Sequence, residues 1–180
     1  MVRLIALMLM AGPAAAGCFG PPMPKVVHYD NGLSMEVVSH TAQDLTSRMT
    51  FPDGRVQTLA QRSGLFILTT SGGGITQQFK WLSDLPDLTQ MQPGQHFDLE
   101  GDMWVEQASR ISFHSEIDVL RQETLRVADC DYPVIVVQRT DRAGRLNFVT
   151  TLWIAPRLLM ALRSESTTDE METYDVTGFE

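Results

Sequence analysis

Cysteine is scarce in this chain, with two in 180 residues. Two thiols cannot build a zinc finger, an iron–sulfur site or a disulfide-dense mini-protein. Basic charge is also short. Fourteen Lys and Arg face 22 Asp and Glu, for a net charge of −8. Nonspecific binding to nucleic acid or to an anionic membrane surface needs a cationic face, which this balance does not supply. No long apolar run follows the N-terminus, so no transmembrane helix is expected. The period of an amphipathic helix is missing too, apart from one turn within Ser83 to Gln92.

Catalytic signatures are equally thin. The H-E-x-x-H zinc-protease spacing, the G-x-S-x-G elbow and S-x-x-K with its partners do not occur. His28, His40, His96 and His114 are scattered and read as ordinary surface residues. Ser71-Gly72-Gly73-Gly74 precedes a strand pattern, whereas a phosphate loop needs a helix N-terminus and a lysine. It reads as a hairpin tip. Asp98, Glu100 and Asp102 imitate the first ligands of a calcium loop. Met103 then takes the place of the required glycine, and Ser109 that of the bidentate glutamate. An acidic hairpin tip between Phe97 and Trp104 is expected there. Ten methionines raise the question of copper, but three fall at the extreme N-terminus and the rest suit core filling. No metal and no cofactor are expected.

What is present starts with export. Arg3 precedes the apolar run Leu4 to Ala11, a Gly12-Pro13 break and the small residues Ala14-Ala15-Ala16. That order predicts a secretory signal over residues 1–16 and a single domain over 17–180. The expected location is the periplasm, or the cell envelope through a lipid anchor. Cys18 has two competing roles. Ala15-Ala16-Gly17-Cys18 resembles a bacterial lipobox, in which the thiol is acylated. Alternatively, signal peptidase cuts after Ala16 and Cys18 pairs with Cys130, as thiols in an oxidising compartment tend to do.

The mature chain alternates with period two almost throughout. Ile75, Gln77, Phe79 and Trp81 share one face. So do Leu45, Ser47, Met49 and Phe51, and again Leu146, Phe148, Thr150, Leu152 and Ile154. These are half-buried strands. Tyr132 to Val137 is apolar on both faces, as a central strand would be, with Pro133 near its start. Asp30-Asn31-Gly32, Pro52-Asp53-Gly54 and Asp141-Arg142-Ala143-Gly144 mark tight turns, hence antiparallel neighbours. The expected fold is all-β: a curved antiparallel sheet or incomplete β-barrel of about nine to eleven strands with at most short helices. The acidic run Glu165 to Glu180 reads as a solvated edge strand blunted by charge.

A family resemblance enters on three segments: Met91-Gln92-Pro93-Gly94-Gln95-His96-Phe97, Cys130-Asp131-Tyr132-Pro133-Val134, and Leu152-Trp153-Ile154-Ala155-Pro156-Arg157-Leu158 ahead of Ala161-Leu162-Arg163-Ser164-Glu165. This order resembles bacterial envelope proteins of the LolA/LolB-like type over about the last ninety residues. The resemblance implies an incomplete barrel around an apolar cavity that holds acyl chains, with no catalytic residues. A clear lid helix is missing from this chain.

Three readings of function follow. The first is a non-enzymatic binding module for an apolar or acyl ligand. Its candidate ligand face is Met35, Met49, Phe51, Phe66, Phe79, Trp81, Phe148, Leu152, Met160 and Leu162. The second is a structural component that serves an envelope protein partner, or a membrane-anchored lipoprotein without a small-molecule ligand. The third is a hydrolase that uses converging acidic residues. Flexible and aromatic groups dominate the inward face, so the interior is either filled by them or lined by them as a pocket.

Overall fold

The computed structural model describes residues 23–106, 108–167 and 173–180. The signal segment 1–16 and Cys18 lie outside the described residues.

The expected alternation and turns produce a meander. Its strands are β1 (Val26–Tyr29), β2 (Ser34–His40), β3 (Asp44–Thr50), β4 (Val56–Arg62), β5 (Phe66–Gly72) and β6 (Ile75–Trp81). After a longer loop come β7 (His96–Val105), β8 (Ser109–Val127), β9 (Cys130–Ala143), β10 (Leu146–Ala155), β11 (Met160–Ser166) and β12 (Tyr174–Phe179). Each strand pairs antiparallel with its sequence neighbours, and β12 pairs with β1 to close the barrel. Helix is confined to two single 3-10 turns among the described residues, Leu88–Gln90 and Pro156–Leu158.

The all-β antiparallel architecture is therefore as the alternation predicts, with twelve strands and a closed wall. The closure depends on the two weakest segments of the sequence. β1 is four residues long, and β12 lies in the acidic C-terminal run. That run is not an edge strand. β12 is hydrogen-bonded on both sides, through Val27↔Phe179 to β1 and through Arg163↔Asp175 to β11. Two of the run's acidic residues have partners on neighbouring strands. Asp175 pairs with Arg163, and Glu180 lies 2.9 Å from the His28 ring.

β9 is buried on both faces, as its two-sided apolar run requires. Val134 and Val136 pack in one cluster with Val27, Leu162 and Val176. Ile135 and Val137 pack in a second cluster with Leu152, Ile117 and Phe66. The second face lines the lumen. The first is covered where the tip of the β8–β9 hairpin meets the closing strands, with Tyr132 against Phe179 at 5.5 Å between ring centroids.

The outer wall of β7 and β8 is charged. Asp98, Glu100 and Asp102 stand opposite Glu116, His114 and Ser112 in the middle of paired strands. The expected acidic hairpin tip is thus strand interior. Asp98 and Asp102 are anchored by neighbours that the sequence spacing hides: Asp102 by Arg110 at 2.8 Å and Ser112 at 2.9 Å, Asp98 by His114 at 2.8 Å. A wall of this polarity does not face hydrocarbon, where a barrel shows a continuous apolar band. Among the described residues, no helix is long and apolar enough to cross a membrane.

One pair on this wall is a pH handle. The Asp118 carboxylate hydrogen-bonds His96 Nδ1 at 2.8 Å and raises the imidazole pKa above its usual value, with smaller contributions from Glu116 and Asp98. The folded form therefore holds the proton more tightly. The pair's stabilisation is complete below about pH 6.5 and is lost as pH rises through the raised value. In an NMR titration, the His96 ring is expected to show a midpoint above that of an unperturbed imidazole. Asp118→Asn should bring it back down. A midpoint insensitive to that substitution would contradict the pairing.

Candidate functional site

Strand register decides which side chains enter the lumen. Met35 faces Met49, and Met49 faces Gln57. Farther round, Phe79 faces Met103 and Met103 faces Ile111. Thr150 stands beside Arg139, and Leu152 lies between Val137 and Ser164. These pairs share one inner surface.

That surface is sealed at one end and open at the other. The seal starts at the β4–β5 turn. Ser63 and Gly64 both have positive φ (+55° and +71°), and Leu65 N–H donates to the Arg62 carbonyl at 3.1 Å. This is the geometry of a type I′ hairpin turn, which suits glycine at its second central position. The turn folds across the barrel. Gln61 Nε2 donates to the Leu159 carbonyl at 2.8 Å, and Leu65 and Phe66 are buried in the second cluster. The loop over 82–95 adds Leu88 and Met91, each 1% exposed. Trp81 Nε1 donates to the Ile67 carbonyl at 3.0 Å where β5 and β6 have stopped pairing. Loops thus plug this end without a helix.

At the opposite end, inward-facing apolar side chains meet solvent. Ile75 follows the parity of Gln77, Ile111 that of Phe113, and Leu146 that of Thr150. All three belong to the inner face, yet they are 53%, 37% and 51% exposed. All three stand at or near the start of their strands, beside hairpin turns.

Between the two ends lies a cavity of about 540 Å3. Met35, Met49 and Phe51 line one side, and Leu152 and Met160 the other. Half of the predicted ligand face is therefore gathered here. Phe79 and Trp81 line a second cavity of about 430 Å3 beside Ser83 to Asp87. Phe66 and Leu162 are fully buried core residues that no ligand could reach. Phe148 is half-buried on the inner face toward the open end. Phe66 stacks edge-on against Trp81 at 5.4 Å, and Trp81 against Phe113 at 4.9 Å, which ties the second cavity's wall to the core.

The cavity also holds polar groups that an alternation search for apolar residues passes over. Gln57, Thr70, Thr150, Ser164 and Arg139 contribute to its wall. Thr150 sits in the same alternating run as Leu152, and Arg139 follows the apolar stretch of β9 by two residues, so a parity count could have placed both. Arg139 is the most constrained. It is 8% exposed, its Nη1 donates to the Leu65 carbonyl at 2.7 Å, and its Nε lies 2.8 Å from the Asp141 carboxylate. Asp141 in turn accepts from Ser115 Oγ at 2.7 Å. A buried guanidinium is tolerable because it is paired and hydrogen-bonded.

Cys130 opens β9 within the first cluster, 8% exposed. Met23 packs against the same cluster. Among the described residues, no group of His, Cys, Asp and Glu is placed to hold a metal ion.

No known family profile matches the sequence, and no curated protein matches it. Solved structures do resemble the fold. The hypothetical lipoprotein YmcC from Escherichia coli superposes with a TM-score of 0.53 at 14% identity, over 79% of each chain. A Bacteroides fragilis protein with a YmcC-like fold, inferred to be exported, gives a TM-score of 0.50 at 13% identity, over 90% of this chain and 98% of its own. At such identities the likeness concerns the fold.

Proposed function

We propose that this chain is an exported protein of the bacterial envelope whose barrel binds an apolar or acyl ligand without catalysing a reaction. The observation that carries the reading is a cavity of about 540 Å3 inside the barrel, walled in part by Met35, Met49, Phe51, Leu152 and Met160. Apolar area held inside an open lumen is costly in water. An acyl chain would recover about 25 cal/mol for each Å2 it covers. A volume of this size suits a ligand pocket. Export is supported by the order of Arg3, the apolar run and Ala14-Ala15-Ala16, and by fold neighbours that include a hypothetical lipoprotein and an inferred exported protein. The LolA/LolB-like resemblance points the same way.

On this reading Cys18 and Cys130 form a disulfide, which would join the mature N-terminus to the start of β9. Support comes from the burial of Cys130 and from Met23, five residues after Cys18, packing in its cluster. Acylation of Cys18 is the competing fate, and it would be the chain's only attachment to a membrane. A protein partner in the envelope would meet the barrel from outside and leave the lumen unused.

The test is a titration of a fluorescent fatty-acid probe into mature protein shown by circular dichroism to be folded. Saturable binding at micromolar probe is expected, with clear weakening in Phe51→Glu, where a charge enters the cavity wall. Folded native protein that takes up no probe would remove the carrier reading in favour of the structural one. The intact mass of the same preparation reports cleavage after Ala16, the loss of two hydrogens on disulfide formation, or an added lipid.

A further inference from the structure

We infer that Arg139 makes the lumen selective for acyl ligands that end in a carboxylate. The inference rests on the carrier reading and goes beyond it by naming the head group. An arginine has five N–H donors. Arg139 directs one from Nη1 at the Leu65 carbonyl, and its Nε lies against the Asp141 carboxylate. Among the described residues, nothing accepts from the others, and the side chain forms part of the cavity wall. Two hydroxyl residues line the same cavity: Thr150, the cross-strand neighbour of Arg139 on β10, 2% exposed, and Ser164 on β11, registered with Leu152 and 3% exposed. Both line the cavity, and neither hydroxyl makes a hydrogen bond among the described residues. Three polar side chains, each more than nine-tenths buried, thus share one cavity with Met35, Met49, Phe51, Leu152 and Met160.

Arg139 Nε, although 2.8 Å from Asp141, is a buried donor outside hydrogen-bond geometry, and a ligand that brings an acceptor to the guanidinium improves its pairing. The charge balance selects the acceptor. Asp141 already lies against Arg139, so each further negative charge is costly and a monoanion is favoured over a dianion. A guanidinium edge matches a planar carboxylate through two parallel N–H···O bonds. A phosphate dianion would need a second cation nearby. The other arginine on the cavity wall, Arg55, is held over the Phe51 ring at 4.7 Å and by Asp53 at 2.6 Å, at the β3–β4 turn. An ester or alcohol is neutral and would accept only the weaker, uncharged kind of hydrogen bond there.

The experiment uses native mature protein and three ligands of equal chain length: dodecanoate, methyl dodecanoate and dodecyl phosphate. Each displaces the fluorescent probe. Dodecanoate is expected to bind at least tenfold more tightly than the other two. Arg139→Lys should remove most of that preference, read as the ratio of acid to ester binding within the variant, and Thr150→Val should reduce it. Equal binding of acid and ester would overturn the head-group assignment while leaving the carrier reading intact. Tighter binding of the phosphate would overturn the choice of carboxylate. If none of the three displaces the probe, or the probe itself does not bind, the carrier reading fails and this inference with it. The ligand comparison needs no variant, so it decides the matter even if Arg139→Lys folds poorly.

Discussion

Gly64→Ala is expected to destabilise the barrel by about 2–5 kcal/mol. The alanine would have to hold φ at +71°, a conformation that L residues rarely adopt. Its Cβ would also stand 2.6 Å from the Met160 amide nitrogen and 2.7 Å from the Leu159 carbonyl carbon. Those atoms are backbone at the start of β11, so they cannot swing aside. Loss of this contact would lift the β4–β5 turn from the sealed end of the lumen and strip Arg139 of its Leu65 acceptor. Gly54→Ala is the matched control. Its φ is +84°, but nothing lies within 4 Å of the new Cβ. It should lose only about 1–2 kcal/mol from the backbone conformation. Denaturant unfolding of both variants measures the difference. Equal losses would mean that the turn does not press on β11.

Trp153→Ala is expected to cost about 3–5 kcal/mol. Trp153 lies on the outer face of β10, yet it is only 5% exposed. Arg121 and Arg163 stack over its ring at 5.7 and 5.3 Å, and its Nε1 donates to Glu123 at 2.6 Å. Truncation would leave a cavity against Val136 and separate charges that the ring holds in register. The same residues give a spectroscopic check. Arg121, and then the Trp153 N–H, hold the Glu123 carboxyl below the usual range, so its stabilisation is present at neutral pH and fades as pH falls through the lowered value. Trp153→Phe retains an aromatic ring and loses the donor. It should melt at a temperature between those of native protein and Trp153→Ala, with the Glu123 carboxyl titrating at higher pH. A Phe variant as unstable as the Ala variant would place the whole effect in the hydrogen bond instead of the packing.

Much of the wall was legible because period two is a local property. The run Leu45, Ser47, Met49 and Phe51 reaches the lumen as its alternation requires, and Tyr132 to Val137 is buried on both faces. Turns such as Asn31-Gly32 and Gly73-Gly74 sit between strands as their positive-φ residues predict. The candidate site was legible only in part. Alternation places Met35, Met49 and Leu152 inward, but it cannot tell them from Phe66 and Leu162, which are wholly enclosed. Enclosure depends on what lies across the barrel, and here that is the β4–β5 turn and the loop over 82–95. Charge misled for a related reason. The acidic residues of β7 and β12 look like solvated tips and edges until Arg110, His114, Arg163 and His28 arrive from other strands.

The sequence by itself determined the class of structure, antiparallel strands joined by short turns, and a net charge of −8. These follow from side-chain periodicity, turn chemistry and charge count, none of which needs distant contacts. Only the tertiary structure decided that β12 closes on β1, that loops plug one end while Ile75, Ile111 and Leu146 stay exposed at the other, and that Arg139, Thr150 and Ser164 line one cavity. Those outcomes depend on the register between strands and on which loop crosses the barrel. Both are set by packing among residues up to about a hundred and fifty positions apart, such as His28 and Glu180.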